Sequence, residues 1–518
     1  MKSELSSFKC LVLNIPCSGF PVLDFASAMA SSTTAPLSPI DQLMPRTYTR
    51  IFLIFKVADG SGAVNRLSAG LAVLGTRLPY LRGRISMSKA LADGNRLAIT
   101  WSEANDPPLS LKEIAPPPHM PSFADLQRTG APLHHFVNDL APLGVLAPQT
   151  DAAVFAASYT PLAGGLLVCY CVHHAAMDGA GVADLARFWA ESVRGAADSI
   201  FAGPDEPVHR LQRLHRAVAA AEIEQRPPGS PPPFADLLAK HTQYRLLSAA
   251  RVPDPETPAA PPPPTSTSRL IRFSAAKLDR LRDVLAAATG ASRETLSLNS
   301  LLSALVWSCV TRVRRARRRR GEPNGGDTSS SRLGFAVDGR RRLGADFAPG
   351  RYLGNVNLYT VADADTATLE AASTLSSDQL LAPLTETAAA AGAAASSFGV
   401  VAAAVAAAVG RITAPQIGEV LSLVEQAPDV EDVGPGWQSF HGPDLSMTSW
   451  AGQGFYEVDF GSEVGCPQFV RVPMAQFDGL VIVLPRRRGG DEKIETVCYL
   501  AEEDVDTLEA DAVWSSWF

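Results

Sequence analysis

Two adjacent histidines followed by an aspartate and a glycine carry the clearest chemistry in this sequence: His173-His174-Ala175-Ala176-Met177-Asp178-Gly179. Neutral imidazole is the usual side chain for taking a proton near neutral pH. An aspartate four residues after His174 can fix the loop or the ring. The stretch contains no nucleophile and no set of metal ligands. Its chemistry is therefore proton abstraction, which makes some other molecule the nucleophile. Spacing alone is weak, because His135-Phe136-Val137-Asn138-Asp139 repeats it. That second copy follows Gly130-Ala131-Pro132, and Leu140 stands where a glycine is wanted, so it reads as a chance match.

The difference lies in what must position each copy. Leu166–Val172 (LLVCYCV) is a continuous apolar run and predicts a fully buried strand ending at the histidines. Gly179 punctuates a turn, and 183–192 predicts a helix beyond it. A base at the end of a buried strand is held rigidly.

Elsewhere strands and helices alternate, which predicts an α/β protein with mixed sheets. Strands are expected at 48–57, 97–101, 152–158, 269–273, 333–337, 356–361, 445–450, 456–461, 468–472, 479–484 and 496–500. Helices are expected at 65–78, 206–225, 275–288, 296–313 and 502–512, and over much of 366–424. Residues 29–42 are expected to be extended. Val252–Ser268 (VPDPETPAAPPPPTSTS) has the composition of a semi-rigid linker. The organisation that follows is an extension at 1–37, a first half at 38–251, the linker at 252–268 and a second half at 269–518.

Composition bounds the function. The chain has 518 residues, 46% hydrophobic and 19% charged, with net charge −7, so no global basic bias points to nucleic acid or a membrane surface. Its seven cysteines include no CxxC pair. An odd, sparse count fits free thiols in a reducing compartment, and the expected location is cytoplasmic. No structural zinc site is expected, and no metal. Residues 1–28 read as an extension before Met29 rather than a secretory signal. Residues 388–410 lack charge over a length that could span a bilayer, but the alanine content favours a packed helix. Arg312–Arg320 holds seven arginines without interleaved aromatics. It is read as the cationic end of a helix running into an insert at 321–330, not as a nucleic-acid patch.

HHAAMDG at 173–179 and DFG at 459–461, with VDGRRR at 337–342 and YLGN at 352–355 between them, resemble the motifs of the BAHD acyltransferases. FDGLVIVLPRR at 477–487, LPYLRGRI at 78–85 and SPIDQLMPRTYTRIFLIFKV at 38–57 add to the likeness. It is strongest to the fungal branch that includes trichothecene 3-O-acetyltransferases. The resemblance implies two chloramphenicol-acetyltransferase-like domains with a channel at their interface. It implies a CoA-dependent O-acyltransferase, with acyl-CoA, by default acetyl-CoA, as co-substrate and no bound cofactor. The partners it implies are a small-molecule alcohol and acyl-CoA, for a monomer. Carried over, His174 is the general base and Asp178 turns away to pair with an arginine, Arg340 first and Arg342 second. His173 supports packing or backbone. Asp459 and Gly461 form the structural second motif on the CoA side, and Ser449-Trp450 lines the CoA arm. The chain departs from the family after DFG, where Ser462-Glu463 intervene and a glycine returns only at Gly465. Two other readings share these residues: a condensation-type N-acyltransferase using carrier-bound substrates, and a non-catalytic acyl-CoA-binding member.

Overall fold

The computed structural model describes residues 32–518 except 88–93, 196–205, 223–230, 249–263, 290–292, 322–327, 382–383, 488 and 490–491. The N-terminal 31 residues, most of the proline-rich linker and most of the 321–330 insert lie outside the described residues.

The strand before the histidines, Gly165–His173, is buried at every position. It sits at the centre of a five-stranded sheet in the order Phe469–Arg471, Tyr48–Lys56, Gly165–His173, Phe155–Leu162, Leu111–Glu113. It pairs antiparallel with both inner neighbours, Tyr48 opposite His173 and Phe155 opposite Val172. A strand flanked on both sides, with both faces covered, reads as a continuous apolar run rather than an alternating one. One face, with Val168, Tyr170 and Val172, joins the largest core. The other, with Cys169 and Cys171, packs with Phe52, Ile54 and Phe136.

The second half is built on a six-stranded mixed sheet, in the order Ser266–Ser274, Lys493–Ala501, Leu480–Val483, Leu445–Ser449, Ser330–Asp338, Asn357–Asp365. Leu445–Ser449 is parallel to both of its neighbours; the other pairings are antiparallel. Helices Leu298–Gly321 and Leu384–Gly410 cover this sheet through a second core that contains Trp307, Phe398, Val401 and Val405. Among the described residues, Gly392–Gly410 is the one helical stretch long and apolar enough to cross a membrane, and part of its surface faces this core.

The halves are interleaved. Phe469–Arg471 comes from the second half yet forms the edge of the first half's sheet beside Tyr48–Lys56. Helix Ala414–Glu425 places Ile417, Val420, Leu421 and Val424 in the core that also holds Ile40, Leu71 and Trp189.

Three expectations change. The stretch expected to be extended contains a strand, Thr33–Pro36, and a short helix, Pro39–Gln42, closed by a capping box between Ser38 and Asp41. Residues 456–461 form no strand: a 3₁₀ turn at Phe455–Glu457 leads into a loop, with Gly454 and Gly461 at positive φ. Strand Ser266–Ser274 starts inside the stretch read as linker.

The arginine run is part of the fold. Arg317 makes a bidentate pair with buried Asp504 at 2.9 and 3.0 Å, Arg315 meets Glu370 at 2.8 Å, and Arg314 pairs with fully buried Asp478. Arg312 and Arg320 pair with Asp511 and Glu503. Guanidinium groups matched in this way to carboxylates offer little free charge to a phosphate backbone.

Candidate active site

The strand delivers His173 and His174 into different environments. His173 is buried, edge-on to Tyr48, and its Nδ1 accepts the main-chain N–H of Ala175 at 3.1 Å. That bond fixes Nδ1 as an acceptor and places the ring proton on Nε2. Burial, helped by His174 and Arg46, pushes the His173 pKa down to about 3. The ring is a neutral turn-former.

His174 retains partial solvent exposure. Its main chain is clamped on both sides: the N–H donates to Thr47 O at 2.8 Å, and the carbonyl accepts from Asn355 Nδ2 at 3.0 Å. Burial lowers its pKa, against opposing contributions from its own carbonyl, Asp178 and Asn355. The imidazole is therefore unprotonated at neutral pH and able to accept a proton.

Asp178 does not touch His174 through any hydrogen bond. It caps helix Gly179–Arg194, with Oδ1 accepting Gly181 N–H at 3.0 Å. Arg340 closes on it in a fork, Nη1 to Oδ2 at 2.8 Å and Nη2 to Oδ1 at 2.9 Å, and Val356 N–H adds a bond to Oδ2 at 2.8 Å. Burial opposes its ionisation, but Arg340 and these main-chain donors outweigh that and hold its carboxyl below the usual range. Arg340 is also held by Gly354 O at 2.6 Å and Asp338 Oδ1 at 3.0 Å. Arg342 instead reaches Ile412 O and Asp338 O. The ion pair thus bolts the histidine loop of the first half to the YLGN loop of the second. Gly181 is required at that contact, since a Cβ there would lie 2.0 Å from Leu353 O.

Two residues with no assigned role in the sequence reading complete the loop. Asn355 of YLGN donates both N–H, at 2.9 Å, and Nδ2, at 2.7 Å, to Asp41 Oδ1. Asp41 Oδ2 takes the N–H and hydroxyl of Ser38, at 3.0 and 2.7 Å. Both lie in quoted motifs, SPIDQ and YLGN, but the 314 positions between them hide the pairing.

Asp459 and Gly461 lie away from this cluster. Gly461 N–H bonds Asp459 Oδ1 at 2.9 Å, and Arg194, at the end of the motif helix, donates to Asp459 O. Phe460 anchors the loop edge-on to Phe55 and Trp189. The longer loop closes on itself through Gly465 N–H to Gly461 O at 2.7 Å and Phe460 N–H to Gly465 O at 3.0 Å. Glu463 pairs at 2.8 Å with Arg66, on helix Gly60–Arg77 of the first half. Ser449 ends a central strand of the second sheet, and Trp450 beside it packs its indole Nε1 3.1 Å from the Cβ position of Gly179. The His135–Asp139 copy spans two short 3₁₀ turns pinned by buried Phe136 and Leu140, with Asp139 exposed. Among the described residues no cluster of His, Cys, Asp or Glu could hold a metal ion.

A family model described as the Transferase family matches residues 120–513, about three quarters of the chain. The chain belongs to the BAHD acyltransferase family. A second model, the trichothecene 3-O-acetyltransferase-like N-terminal domain, matches residues 47–192 and places it in the fungal branch. This BAHD chain is 35% identical to a trichothecene 8-O-acetyltransferase of Fusarium sporotrichioides, covering 93% of this chain and 97% of that one. It is 25% identical to a trichothecene 3-O-acetyltransferase of the same fungus, over 91% and 93%. A Fusarium graminearum relative of that second enzyme, solved with ethyl coenzyme A, superposes with a TM-score of 0.68 over 94% of this chain and 99% of the other, at 19% identity. Vinorine synthase gives 0.54 at 16% identity, over 91% of each chain. The α/β fold with mixed sheets is that of these two-domain enzymes, and the protein is an acyltransferase.

Proposed function

We propose that this enzyme transfers an acyl group, acetyl by default, from acyl-CoA to a hydroxyl of a fungal secondary metabolite, with His174 as general base. A trichothecene-like terpenoid alcohol is the acceptor class favoured by the 35% identical 8-O-acetyltransferase, and CoA as donor by the related structure with ethyl coenzyme A. His174 Nε2 takes the proton of the acceptor hydroxyl as its oxygen attacks the thioester carbonyl carbon. The tetrahedral oxyanion then collapses, the C–S bond breaks, and the leaving CoA thiolate takes the proton from the imidazolium. Because the base acts directly on the acceptor, no acyl-enzyme forms.

The observation that carries this reading is the division of labour at the motif. His174 is neutral and partly open to solvent, while Asp178 is consumed by Arg340 and two main-chain donors. Asp178 and Arg340 then act as the brace of the histidine loop, and His173 as its turn. Ser449 with Trp450, and Asp459 with Gly461, belong to the CoA side, where the loops flank the ends of the motif helix. The domain reading is a first half at 38–251 and a second at 269–518, joined by the linker, with both substrates meeting at a channel between them. The protein acts as a cytoplasmic monomer. All five cysteines among the described residues are unpaired, in keeping with a reducing compartment.

The test is His174→Ala, assayed by CoA thiol release from acetyl-CoA with trichothecene alcohols. General-base catalysis contributes about 10²–10⁴-fold, so turnover should fall by at least that much in a folded protein. A variant with near-parental turnover overturns the reading.

A further inference from the structure

Among the described residues, two buried side-chain atoms at the centre of this cluster have no hydrogen-bond partner within ordinary limits. Asp178, the carboxylate suggested by the motif, is spent on Arg340, Gly181 and Val356. The Asn355 amide spends its two protons on Asp41 Oδ1 and His174 O. What remains unpaired and buried is His174 Nδ1 and Asn355 Oδ1. One can donate and the other accept, and both belong to residues already joined by the bond from Asn355 Nδ2 to the His174 main-chain carbonyl.

We propose that Asn355, held in place by Asp41, is the positioning residue that sets the tautomer and orientation of the His174 ring. This rests on His174 being the base. The Asn355 Oδ1 accepts a hydrogen bond from Nδ1–H, which keeps the ring proton on Nδ1 and leaves the Nε2 lone pair free for the acceptor hydroxyl. Hydrogen bonds that support catalysis are often long or poorly aligned before substrate binds and tighten afterwards. The contacts that oppose the lowering of the His174 pKa are, in order, its own main-chain carbonyl, Asp178 and Asn355; Asn355 is the one that comes from a side chain of the second half. Asp41 is fully buried and takes four hydrogen bonds, two from Ser38 and two from Asn355. Asn355 is fully buried as well, so its amide cannot rotate without breaking the bond to Asp41. The ion-pair arginine therefore holds the loop, and the Asp41–Asn355 pair aims the ring.

The charged and titratable groups facing this ring are Asp178 and His173 on its own loop, Asp41 beyond Asn355, and Arg210 near Asp41. Arg46 bears on His173. Two variants separate aiming from mere folding. Asn355→Ala removes the side-chain acceptor beside Nδ1 and leaves only the residue's own carbonyl; misplacement of a reacting group by about 1 Å costs about 100-fold in rate, so kcat should fall on that scale with KM little changed. The acid limb of kcat/KM should move to lower pH, because a contact that favours the imidazolium is lost. The exchange Asp41→Asn with Asn355→Asp keeps one donor–acceptor pair between 41 and 355, gives up the donor to His174 O, and puts the charge beside Nδ1. An opposite charge within reach moves a pKa by about 1–3 pH units, so the acid limb should move up by that amount. Were Asn355→Ala too unstable to assay, the exchange decides alone.

His174→Ala is run alongside. If it is inactive while both other proteins keep the parental acid limb, the positioning role is overturned and the base survives. If His174→Ala stays active, the base reading itself has failed.

Discussion

The Asp178–Arg340 pair makes the sharpest quantitative test of the architecture. In Asp178→Asn the amide can still accept on one side. On the other side its NH₂ faces donors: one arm of the Arg340 fork and a main-chain N–H. Breaking one partner of a buried pair costs about 3–5 kcal/mol, mostly from the uncompensated charge. Arg340 keeps Asp338 Oδ1 and Gly354 O, which places the loss toward the lower end of that range. Unfolding entropy of about 2.1 cal/mol/K per residue, over 518 residues, amounts to about 1 kcal/mol per degree, so the midpoint should drop by about 3 °C. The assay is scanning calorimetry at pH 7 on Asp178→Asn, Arg340→Met and the double variant. The double variant should lose less than the sum of the singles, because removing both charges leaves none stranded. The sign of the pH dependence is fixed too. A carboxyl held below its unfolded value of about 3.9 stabilises the fold above that pH, and the benefit is lost as pH falls through the folded value. The gap between parent and Asp178→Asn should therefore close on acidification below pH 4. Strict additivity, or a midpoint within 1 °C of the parent at pH 7, would refute the bracing role.

Other consequences can be checked separately. Because burial lowers the His174 pKa from 6.5, the acid limb of kcat/KM should be centred below pH 6.5; a limb centred above 6.5 contradicts the neutral, desolvated base. Phe460→Ala removes the anchor of the second motif between Phe55 and Trp189 and should cost about 3–5 kcal/mol, read as a lowered unfolding midpoint. Gly181→Ala drives a methyl into Leu353 O and should cost at least about 1–3 kcal/mol, with lower activity, as the helix start is pushed from the YLGN loop. Glu463→Ala breaks a half-exposed pair with Arg66 and should change stability by less than about 1 kcal/mol.

What could be read from the sequence follows contact range. The strand before the histidines is unmistakable, because a run buried on both faces leaves apolar residues at consecutive positions. The start of the motif helix is equally local: Asp178 caps it within three residues. Asp41 and Asn355 were hidden because a hydrogen bond across 314 positions leaves no periodicity. The arginine run reads correctly as the end of a helix, but its carboxylate partners Asp478, Asp504 and Asp511 were hidden for the same reason, since they lie far along the chain. YEVDFG alternates like a strand, but positive φ at Gly454 and Gly461 and the inward Phe460 make it a turn. The short helix at Pro39–Gln42 was masked by its proline, which suits the first turn of a helix.

Strand Phe469–Arg471 crosses from one half to complete the other's sheet, and its buried Arg471 grips Glu495 and the carbonyls of Ala131 and Gly130. A first half produced without its successor would present Tyr48–Lys56 as a bare sheet border, open to pairing with any stray chain. When the polypeptide is split between Ser248 and Pro264, the first piece should be recovered intact only when made together with the second, which supplies its missing edge.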